Sequence, residues 1–390
     1  MLFGRLSSHL SHVGEKVLFA IVSTRRSWLP RVSRSSRCRA LAPGYLVEQE
    51  ARHQPSSCER TQRRRGQQSA LKGLRPVLRI LARSSLKSQL ERSSRVILPH
   101  LVKPEYLFRP TQVGRRVWHQ IDKGGPVERA VLPWGAPVII DAADNIGKAV
   151  WTRGVYDLVV AEALFRLTDA GELALDVGGN VGLMSGALAC AVGQAGCVVS
   201  FEPNPVLIPR LQKNIDLWRR QLNWNHIELA QIALSASNGE AQLTMRADFS
   251  ENNGLASLEP GWQGATVKVA TSTLDSFLGG TRFVGTMKLD VEGHEYSVLL
   301  GAQSALSDGR VRDIVFEDHG SYPTSTMQLL KTYGYEIFRL RKGLRGPLLT
   351  PIGVNKLYFS ADPPNYVATK DATRATSRFA PKGWQALRRR

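Results

Sequence analysis

The chain has 390 residues, 43% of them hydrophobic, and no apolar run long enough to predict a membrane-spanning helix. Its net charge of +19 is unevenly distributed, since residues 1–100 hold 20 Lys and Arg against 5 Asp and Glu, whereas the rest holds 32 against 28. The basic character therefore belongs to the N-terminal region, and it does not predict a nucleic-acid surface on the rest of the chain.

Residues 1–70 are rich in Arg and Ser and carry little hydrophobic periodicity, which predicts a disordered basic extension. The same composition is typical of a mitochondrial transit peptide, and an overextended start, with the real protein beginning near residue 70, is another interpretation. Contact with nucleic acid or an anionic surface is a further alternative. The spacing of Cys38, Cys58, Cys190 and Cys197 fits neither a zinc site nor a disulfide framework, which favours a reducing compartment, and we predict the cytoplasm.

Residues 71–155 are predicted to form a lead-in of helix and strand that packs on the following domain. Leucines and a valine recur near helical spacing over residues 70–90, between Arg and Lys, as in a basic amphipathic helix. Pro137–Asp141 has the apolar pattern of a strand.

Residues 156–360 are predicted to form one α/β domain, because strand and helix patterns alternate along them. The predicted strands are Leu173–Val177, Val198–Phe201, Ile227–Ala233, Met287–Leu289 and Ile314–Phe316, and the helices include Tyr156–Leu167, Val181–Ala191, Pro205–Leu217 and Glu295–Leu306. Such alternation favours a doubly wound, mostly parallel sheet. Tyr335–Leu340 and Asn355–Ser360 are predicted to close it as an antiparallel hairpin, and residues 361–390 to form a disordered basic tail.

The segment Leu173–Gly182 has the composition of a ligand-binding turn after a strand. Open α/β sheets bind ligands at the carboxyl ends of their strands, and Asp176 lies at such an end. Gly178 and Gly182 allow a sharp turn and close ligand approach. Asn180 stands where a dinucleotide fingerprint has its second glycine, and an acidic residue before the loop suits the cationic end of a methionine moiety. The pattern predicts an S-adenosylmethionine pocket, although Asp176 could instead cap the helix and Asn180 could tolerate a left-handed backbone.

Two later strand ends complete the predicted cofactor pocket. Glu202, in the segment Phe201–Pro205, follows Gly178 by 24 residues, and a carboxylate there can accept hydrogen bonds from both ribose hydroxyls. Asn204 belongs to the same segment. Ala233 ends the third strand, where such folds place residues that flank the adenine. We therefore add these three residues to the cofactor-binding set.

The segment Lys288–Glu295 places four ionisable side chains within six residues: Asp290, Glu292, His294 and Glu295. Clustered carboxylates oppose one another's ionisation unless they are solvated or used. We predict that Asp290 lines the pocket, whereas Glu292 and Glu295 alternatively cap the helix that follows. Oxygen ligands of this kind also suit Mg²⁺, but the sequence fixes no geometry, and we predict no metal site.

Taken together, these motifs resemble the FkbM family of S-adenosylmethionine-dependent methyltransferases. The segments that carry the resemblance are Asp176–Gly182, Phe201–Pro205, Ala233–Glu240, Thr273–Phe277 and Leu289–Glu295. It covers residues 156–340, with Gly179 as a departure where the family commonly has Ala. The resemblance implies a Rossmann-like class I methyltransferase fold. It also implies an enzyme that methylates hydroxyls of sugars, polyketides or other secondary metabolites, so we predict a small-molecule hydroxyl acceptor.

Transfer to oxygen would gain about 10²–10⁴-fold from a base, because a neutral hydroxyl attacks poorly. The candidates at predicted strand ends are Asp290, His294, Glu317, Asp318 and His319. We predict His319 as the base and Asp290 as the second catalytic residue. An NAD-dependent oxidoreductase would need the Gly-x-Gly-x-x-Gly turn that is missing here. A nucleic-acid methyltransferase that uses the basic N-terminal region and a non-catalytic binding module are the remaining alternatives.

Overall fold

The computed structural model describes residues 103–109, 112, 114, 129–246, 249, 256–353 and 363–388. The predicted basic extension, the amphipathic helix over residues 70–90 and the strand Asn355–Ser360 lie outside the described residues. None of the helices in the described ranges combines the length and apolarity needed to cross a membrane.

A lead-in precedes the main sheet and packs on it. It comprises α1 (Pro104–Phe108), the antiparallel pair β1 (Arg129–Val131) and β2 (Pro137–Ile139), and α2 (Asn145–Arg153). The backbone N–H of Ile139 donates to the Asn214 side chain at 2.7 Å, and the Trp218 indole N–H donates to the Pro137 carbonyl. Both of these partners lie on a helix of the main domain, so the lead-in is fixed to it by buried polar contacts.

The main domain alternates strands and helices as predicted. Its first half comprises α3 (Leu158–Leu167), β3 (Leu173–Val177), α4 (Leu183–Val192), β4 (Cys197–Phe201), α5 (Ile208–Leu222) and β5 (Ile227–Ala230). Its second half comprises α6 (Leu274–Leu278), β10 (Val284–Leu289), α7 (Glu295–Leu300), α8 (Gln303–Ser307), β11 (Val311–Glu317), α9 (Ser325–Thr332), β12 (Glu336–Gly343), β13 (Gly346–Pro351), β14 (Asn365–Thr369) and α10 (Ala372–Phe379). The short strands β6 (Ala233–Leu234), β7 (Gly239–Arg246), β8 (Ala256–Ser257) and β9 (Gly264–Ser272) lie between the halves.

The central sheet has eight strands in the order β13-β12-β14-β11-β10-β3-β4-β5. The five strands from β11 to β5 run parallel, and β14 is antiparallel to both of its neighbours. Buried apolar clusters cover both faces, one containing Leu164 and Trp218 and the other Val298 and Met327. This confirms the doubly wound, mostly parallel sheet. The strand order reverses between β3 and β10, and ligands of open α/β sheets bind at such a switch point.

Two predicted elements divide in the structure. The predicted helix Glu295–Leu306 is two helices, α7 and α8, separated at Gly301. A Cβ at Gly301 would clash with the Ser235 carbonyl oxygen, so the backbone approaches too closely there for any larger residue. The predicted strand Ile227–Ala233 ends at β5, and β6 belongs to a separate four-stranded sheet of order β6-β9-β7-β8. The sequence analysis did not predict this second sheet.

The closing hairpin was predicted with the wrong second strand. β12 turns at residues 344–345 and pairs with β13, with Leu340 opposite Leu349. The segment between the two predicted strands supplies β13, in which Gly346 and Pro347 stand at the start and every residue pairs with β12.

The prediction of a disordered C-terminal tail over residues 361–390 is wrong for residues 363–388. β14 is an internal strand with all five residues buried, and α10 and a short 3₁₀ helix (Gln385–Leu387) follow it. The reason lies in Arg166 of α3, whose guanidinium donates to the carbonyls of residues 378, 381 and 383. Tertiary contacts therefore order a basic segment that its composition alone does not fold.

Candidate active site

A cavity of about 730 Å³ opens at the carboxyl ends of β3, β4, β10 and β11, at the switch point of the sheet. The residues of the predicted site that line it are Gly178, Asn180, Glu202, Asn204, Ala233, Asp290 and His319. Asp176 and Gly182 do not line it. The geometry thus brings seven of the nine predicted residues to one cavity.

The turn after β3 is shaped by Gly178, which has φ +84°. A Cβ there would clash with the carbonyl oxygen of Asp290, so the turn and the loop after β10 lie in direct contact. Asn180 is also left-handed, with φ +50°, and lines the cavity. Gly182 turns away instead, because a Cβ at this position would lie 2.7 Å from Leu211 Cδ1 on α5. The small size of Gly182 thus serves the packing of α4 against α5, and its cofactor contact stays a prediction.

We expect Gly178→Ala to destabilise the fold by about 2–5 kcal/mol, since it combines a left-handed alanine with a backbone clash. Gly171→Ala is the matched control, because Gly171 has φ +85° but no neighbouring atom within 4 Å of a Cβ. The control is expected to lose only about 1–2 kcal/mol. Chemical denaturation of both variants measures the difference, and equal losses would contradict the close contact with Asp290.

Glu202 is buried at the end of β4 and holds the turn. One carboxylate oxygen accepts from the Asn180 backbone N–H and the other from the Asn204 N–H, both at 2.8 Å. Burial raises the pKa of Glu202 to about 7, and these two hydrogen bonds act against the rise. The side-chain nitrogen of Asn204 is buried without a partner among the described residues. The cavity wall therefore offers a hydrogen-bond acceptor and an unsatisfied donor side by side, as a polyol such as ribose requires.

Asp176 lies behind the cavity wall rather than in it. It is fully buried and accepts from Ser185 Oγ at 2.6 Å, and Lys288 Nζ lies 3.5 Å from it. Asp176 is therefore not among the residues that line the cavity, and its cofactor contact stays a prediction. Burial raises the pKa of Asp176, and the nearby Lys288 ammonium opposes that rise.

Lys288 is a site residue that the sequence analysis missed. Its ammonium donates to the Gly178 carbonyl at 2.7 Å and lies 3.3 Å from Asp290 Oδ2. It therefore joins the glycine turn to the loop after β10 and compensates two carboxylates. A lysine within an apolar strand was the available signal, because a buried ammonium needs such partners.

The part of the cavity lined by Asp290, Glu292, Glu317 and His319, here called the outer part, is rich in carboxylates. Asp290 is 38% exposed, and the Glu317 carboxylate lies 2.6 Å from His319 Nε2. Burial raises the pKa of Glu317 to about 7, with Asp290 adding to the rise and His319 opposing it. His319 itself is 74% exposed at the rim. Tyr156, which precedes α3, also faces this part of the cavity and was not predicted as a site residue.

The small second sheet forms another wall that was not predicted. Ala233, Leu243 and Ser257 line the cavity from β6, β7 and β8. His294 connects this wall to the loop after β10, since its Nδ1 lies 2.6 Å from Glu259 and its Nε2 lies 3.0 Å from Ser235 Oγ. Both ring nitrogens of this candidate base are therefore occupied.

The helix cap predicted for Glu292 or Glu295 is not made, because α7 begins at Glu295 without a side-chain cap. Glu295 accepts from the Val291 N–H at 2.9 Å and from the Gly293 N–H at 3.4 Å. Asp318, another candidate base, accepts from Thr324 Oγ1 and does not line the cavity. Within the described ranges no three His, Cys, Asp or Glu side chains converge in a geometry for a metal ion.

The chain is similar to known methyltransferases. Residues 176–337 match the methyltransferase FkbM domain. The chain is 26% identical over 221 residues to the hexuronic acid methyltransferase AglP of Haloferax volcanii, a match that covers 55% of this chain and 85% of that protein.

Solved structures with a similar fold include methyltransferase FkbM from Methylobacillus flagellatus, with 16% identity and a TM-score of 0.33. That match covers 52% of this chain and 43% of the other. An S-adenosylmethionine-dependent O-methyltransferase from Thermotoga maritima has 16% identity and a TM-score of 0.32, and it covers 65% of this chain and 80% of its own.

This similarity agrees with the FkbM resemblance found in the sequence, and it confirms the methyltransferase class and S-adenosylmethionine as the cofactor. The cavity fits that cofactor, because the cradle at Gly178 leaves no room for a Cβ and Asn204 presents a buried donor without a partner among the described residues. The roles of individual cavity residues in the FkbM domain stay predictions.

Proposed function

We propose that this protein transfers the methyl group of S-adenosylmethionine to a hydroxyl oxygen of a sugar, with hexuronic acids and their glycosides as the acceptor class, in the cytoplasm. The observation that carries the proposal is the single cavity in which the glycine turn and Glu202 adjoin the carboxylate-rich outer part. The cofactor supplies an activated methyl group, and the residues must hold an acceptor oxygen in line with it.

The rest of the cavity, here called the inner part, is lined by the glycine turn, Glu202, Asn204 and Ala233, and these residues can hold the cofactor. We propose that Glu202 and Asn204 bind the ribose hydroxyls, that Gly178 and Asn180 shape the cradle, and that Ala233 flanks the adenine. Asp290 lies between this part and the outer part, held by Lys288. These residues supply binding and orientation, whereas the proton of the acceptor must be taken by a group in the outer part.

The outer part suits a sugar. The side chains of Asp290, Glu292 and Glu317 accept hydrogen bonds from hydroxyls, and Tyr156, which is 40% exposed, offers an apolar ring face with a polar tip. The homology to a hexuronic acid methyltransferase supports the same acceptor class.

A hexuronate also needs a cation for its carboxylate, and Arg153 is the residue that we propose for it. Arg153 lines the cavity from the end of α2, an element separate from those that carry the acidic side chains. Its Nη2 donates to the Tyr156 carbonyl at 3.2 Å, and its Nε is buried without a partner in the part of the chain that the structure describes. A guanidinium with a donor to spare can bind a carboxylate.

An acceptor screen with methyl-labelled cofactor tests the proposal. We expect transfer to methyl glucuronide to exceed transfer to methyl glucoside, and Arg153→Gln to raise KM for the glucuronide about tenfold or more with little change for the glucoside. Arg219→Gln is the matched control, because Arg219 lies on the surface of α5 and does not line the cavity. Transfer to neither sugar, while the cofactor binds normally, would contradict the proposed acceptor class.

A further inference from the structure

Glu292 differs from every other acidic side chain of the cavity wall. Asp157, Glu202, Asp290 and Glu317 each have a hydrogen-bond or ion-pair partner. The carboxylate of Glu292 has none among the described residues, although it is half-buried and lines the cavity. Its oxygens are therefore available to a bound molecule.

The backbone holds Glu292 in an unusual conformation. Its φ is +55°, in the left-handed region that non-glycine residues rarely adopt, and Gly293 follows with φ +98°. Two contacts fix this loop: Ser257 Oγ donates to the Glu292 carbonyl at 2.8 Å, and Glu295 accepts from the N–H groups on either side of Glu292. Strain of this kind is maintained by the surrounding structure and is concentrated at functional positions.

The charges around Glu292 come from every element packed against it. Asp290 and Glu295 face it from its own loop, Lys288 from β10 and Glu317 from β11. Tyr156 lies within range before α3, and the Glu259–His294 pair lies on the side of the small sheet. Burial raises the pKa of Glu292 to about 8, with Asp290, Glu317 and Glu295 adding to the rise and Lys288 opposing it. A carboxylate with such a pKa is a stronger proton acceptor than an ordinary one.

We propose that Glu292 is the general base that takes the proton of the acceptor hydroxyl during methyl transfer. The inference rests on the proposed function. The Glu292 carboxylate accepts the proton while the hydroxyl oxygen forms its bond to the methyl carbon. The electron pair of the broken sulfur–methyl bond stays on the sulfur, which becomes a neutral thioether, and Glu292 then releases the proton to solvent.

The two bases predicted from the sequence are less well placed. His319 is largely exposed and its Nε2 is paired with Glu317, so its ring is oriented toward that carboxylate. The carboxylate of Asp290 is already paired, since its Oδ2 lies 3.3 Å from the Lys288 ammonium. In this arrangement His319 and Glu317 border the acceptor, whereas Glu292 receives its proton.

The first test is the rate of methyl transfer in a single turnover, with methyl glucuronide as acceptor and labelled cofactor, from pH 5.5 to 9.5. We expect the wild-type rate to rise with pH and to level off above about pH 8, because Glu292 must be ionised to act. Glu292→Gln should be about 10²–10⁴-fold slower and lose this dependence, with cofactor affinity within about threefold of the wild type. Glu292→Asn, which suits a left-handed backbone, should show the same loss.

Two further variants make the result specific. Glu336→Gln is the matched control, since Glu336 is exposed at the start of β12 away from the cavity, and its rate should equal the wild-type rate. His319→Ala should slow the reaction far less than Glu292→Gln. If Glu292→Gln stays within about fivefold of the wild type, or if His319→Ala shows the larger loss, the proposal is wrong.

The second test does not need an acceptor. S-adenosylmethionine carries a sulfonium charge that S-adenosylhomocysteine lacks, and a nearby cation favours the ionised form of Glu292. Calorimetry in buffers of different ionisation enthalpy counts the protons released on binding. At pH 7.5 the wild type should release more protons with S-adenosylmethionine than with S-adenosylhomocysteine, and Glu292→Gln should abolish the difference.

An unchanged difference in the variant would overturn the role of Glu292. Absence of turnover with every sugar, together with a difference that depends on Glu292, would instead reject the acceptor class and support Glu292 as the group that senses the methyl donor. The two failures are therefore distinguishable.

Discussion

A chain that ends at residue 362 is expected not to fold. It would lack β14, which pairs with β11 on one side and with β12 on the other, so its loss would open the sheet in the middle rather than at an edge. The five residues of β14 are all buried, and their removal would also uncover the apolar cluster that contains Ala368. Circular dichroism and thermal unfolding would detect the effect, and a cooperative transition at the wild-type temperature would contradict it.

A single substitution tests the same contact without removing residues. Arg166 is 1% exposed, pairs with Glu162 and donates to three carbonyls of the C-terminal segment, and Glu162 accepts from the Ala386 N–H at 2.7 Å. Arg166→Met leaves a buried carboxylate and three carbonyls without their partner, so we expect a loss of about 3–5 kcal/mol in the free energy of unfolding.

The control for this substitution is Arg219→Met. Arg219 is half-buried, lies 3.5 Å from Asp216 and donates to the Ile227 carbonyl at 2.9 Å, and such contacts at the surface contribute about 0–1 kcal/mol each. Denaturant titration of both variants gives the comparison. A loss below about 1 kcal/mol for Arg166→Met would mean that the Arg166 contacts do not hold the C-terminal segment in place.

Glu202→Gln is expected to weaken S-adenosylmethionine binding about 100-fold. The glutamine amide has one oxygen, so it cannot accept from both the Asn180 and the Asn204 N–H groups. The substitution also removes the negative charge that we propose accepts hydrogen bonds from the ribose hydroxyls. A hydrogen bond to a charged group contributes about 1.5–3 kcal/mol, which corresponds to roughly 10–150-fold in affinity. Calorimetric titration measures the change, with Glu228→Gln on the exposed side of neighbouring β5 as the control.

The same residue makes cofactor binding depend on pH. The pKa of Glu202 is about 7, and ribose hydroxyls donate to the ionised carboxylate, so affinity should fall by up to tenfold for each pH unit below 7. In Glu202→Gln this part of the dependence should disappear. Equal slopes for the two proteins between pH 5 and 7 would show that the ribose is bound elsewhere.

The sequence predicted the parallel half of the fold well, because strands buried on both faces are continuous apolar runs. β3 has the predicted bounds, and β4 differs by one residue. β14 was missed because its apolar run is only three residues long, Tyr366 to Ala368, and polar residues lie on both sides of that run. β14 is buried because it pairs with β11 and β12, and the residues of the segment itself do not indicate that pairing. The small second sheet was missed because its longest strands are mostly exposed and show little alternation.

The site could be predicted as far as strand ends determine it. Glu202 and Asp290 reach the cavity because the carboxyl ends of parallel strands lie at one edge. The burial of Asp176 could not be predicted in the same way, since it follows from a pairing across the sheet: Asp176 stands opposite Lys288 in the register of β3 and β10. Glu292 was identified as part of an acidic cluster, but the sequence could not show that its carboxylate lacks a partner among the described residues. That follows from the pairing of the other carboxylates with Lys288, His319 and backbone N–H groups.

The position of β14 also determines when the protein can complete its sheet during synthesis. Its residues leave the ribosome after those of β11 and β12, yet they lie between these two strands in the sheet. Until they arrive, the facing edges of β11 and β12 have unpaired N–H and carbonyl groups, and such edges promote association with other chains. The nascent protein is therefore expected to need protection by chaperones until β14 has emerged, because the sheet cannot close before then.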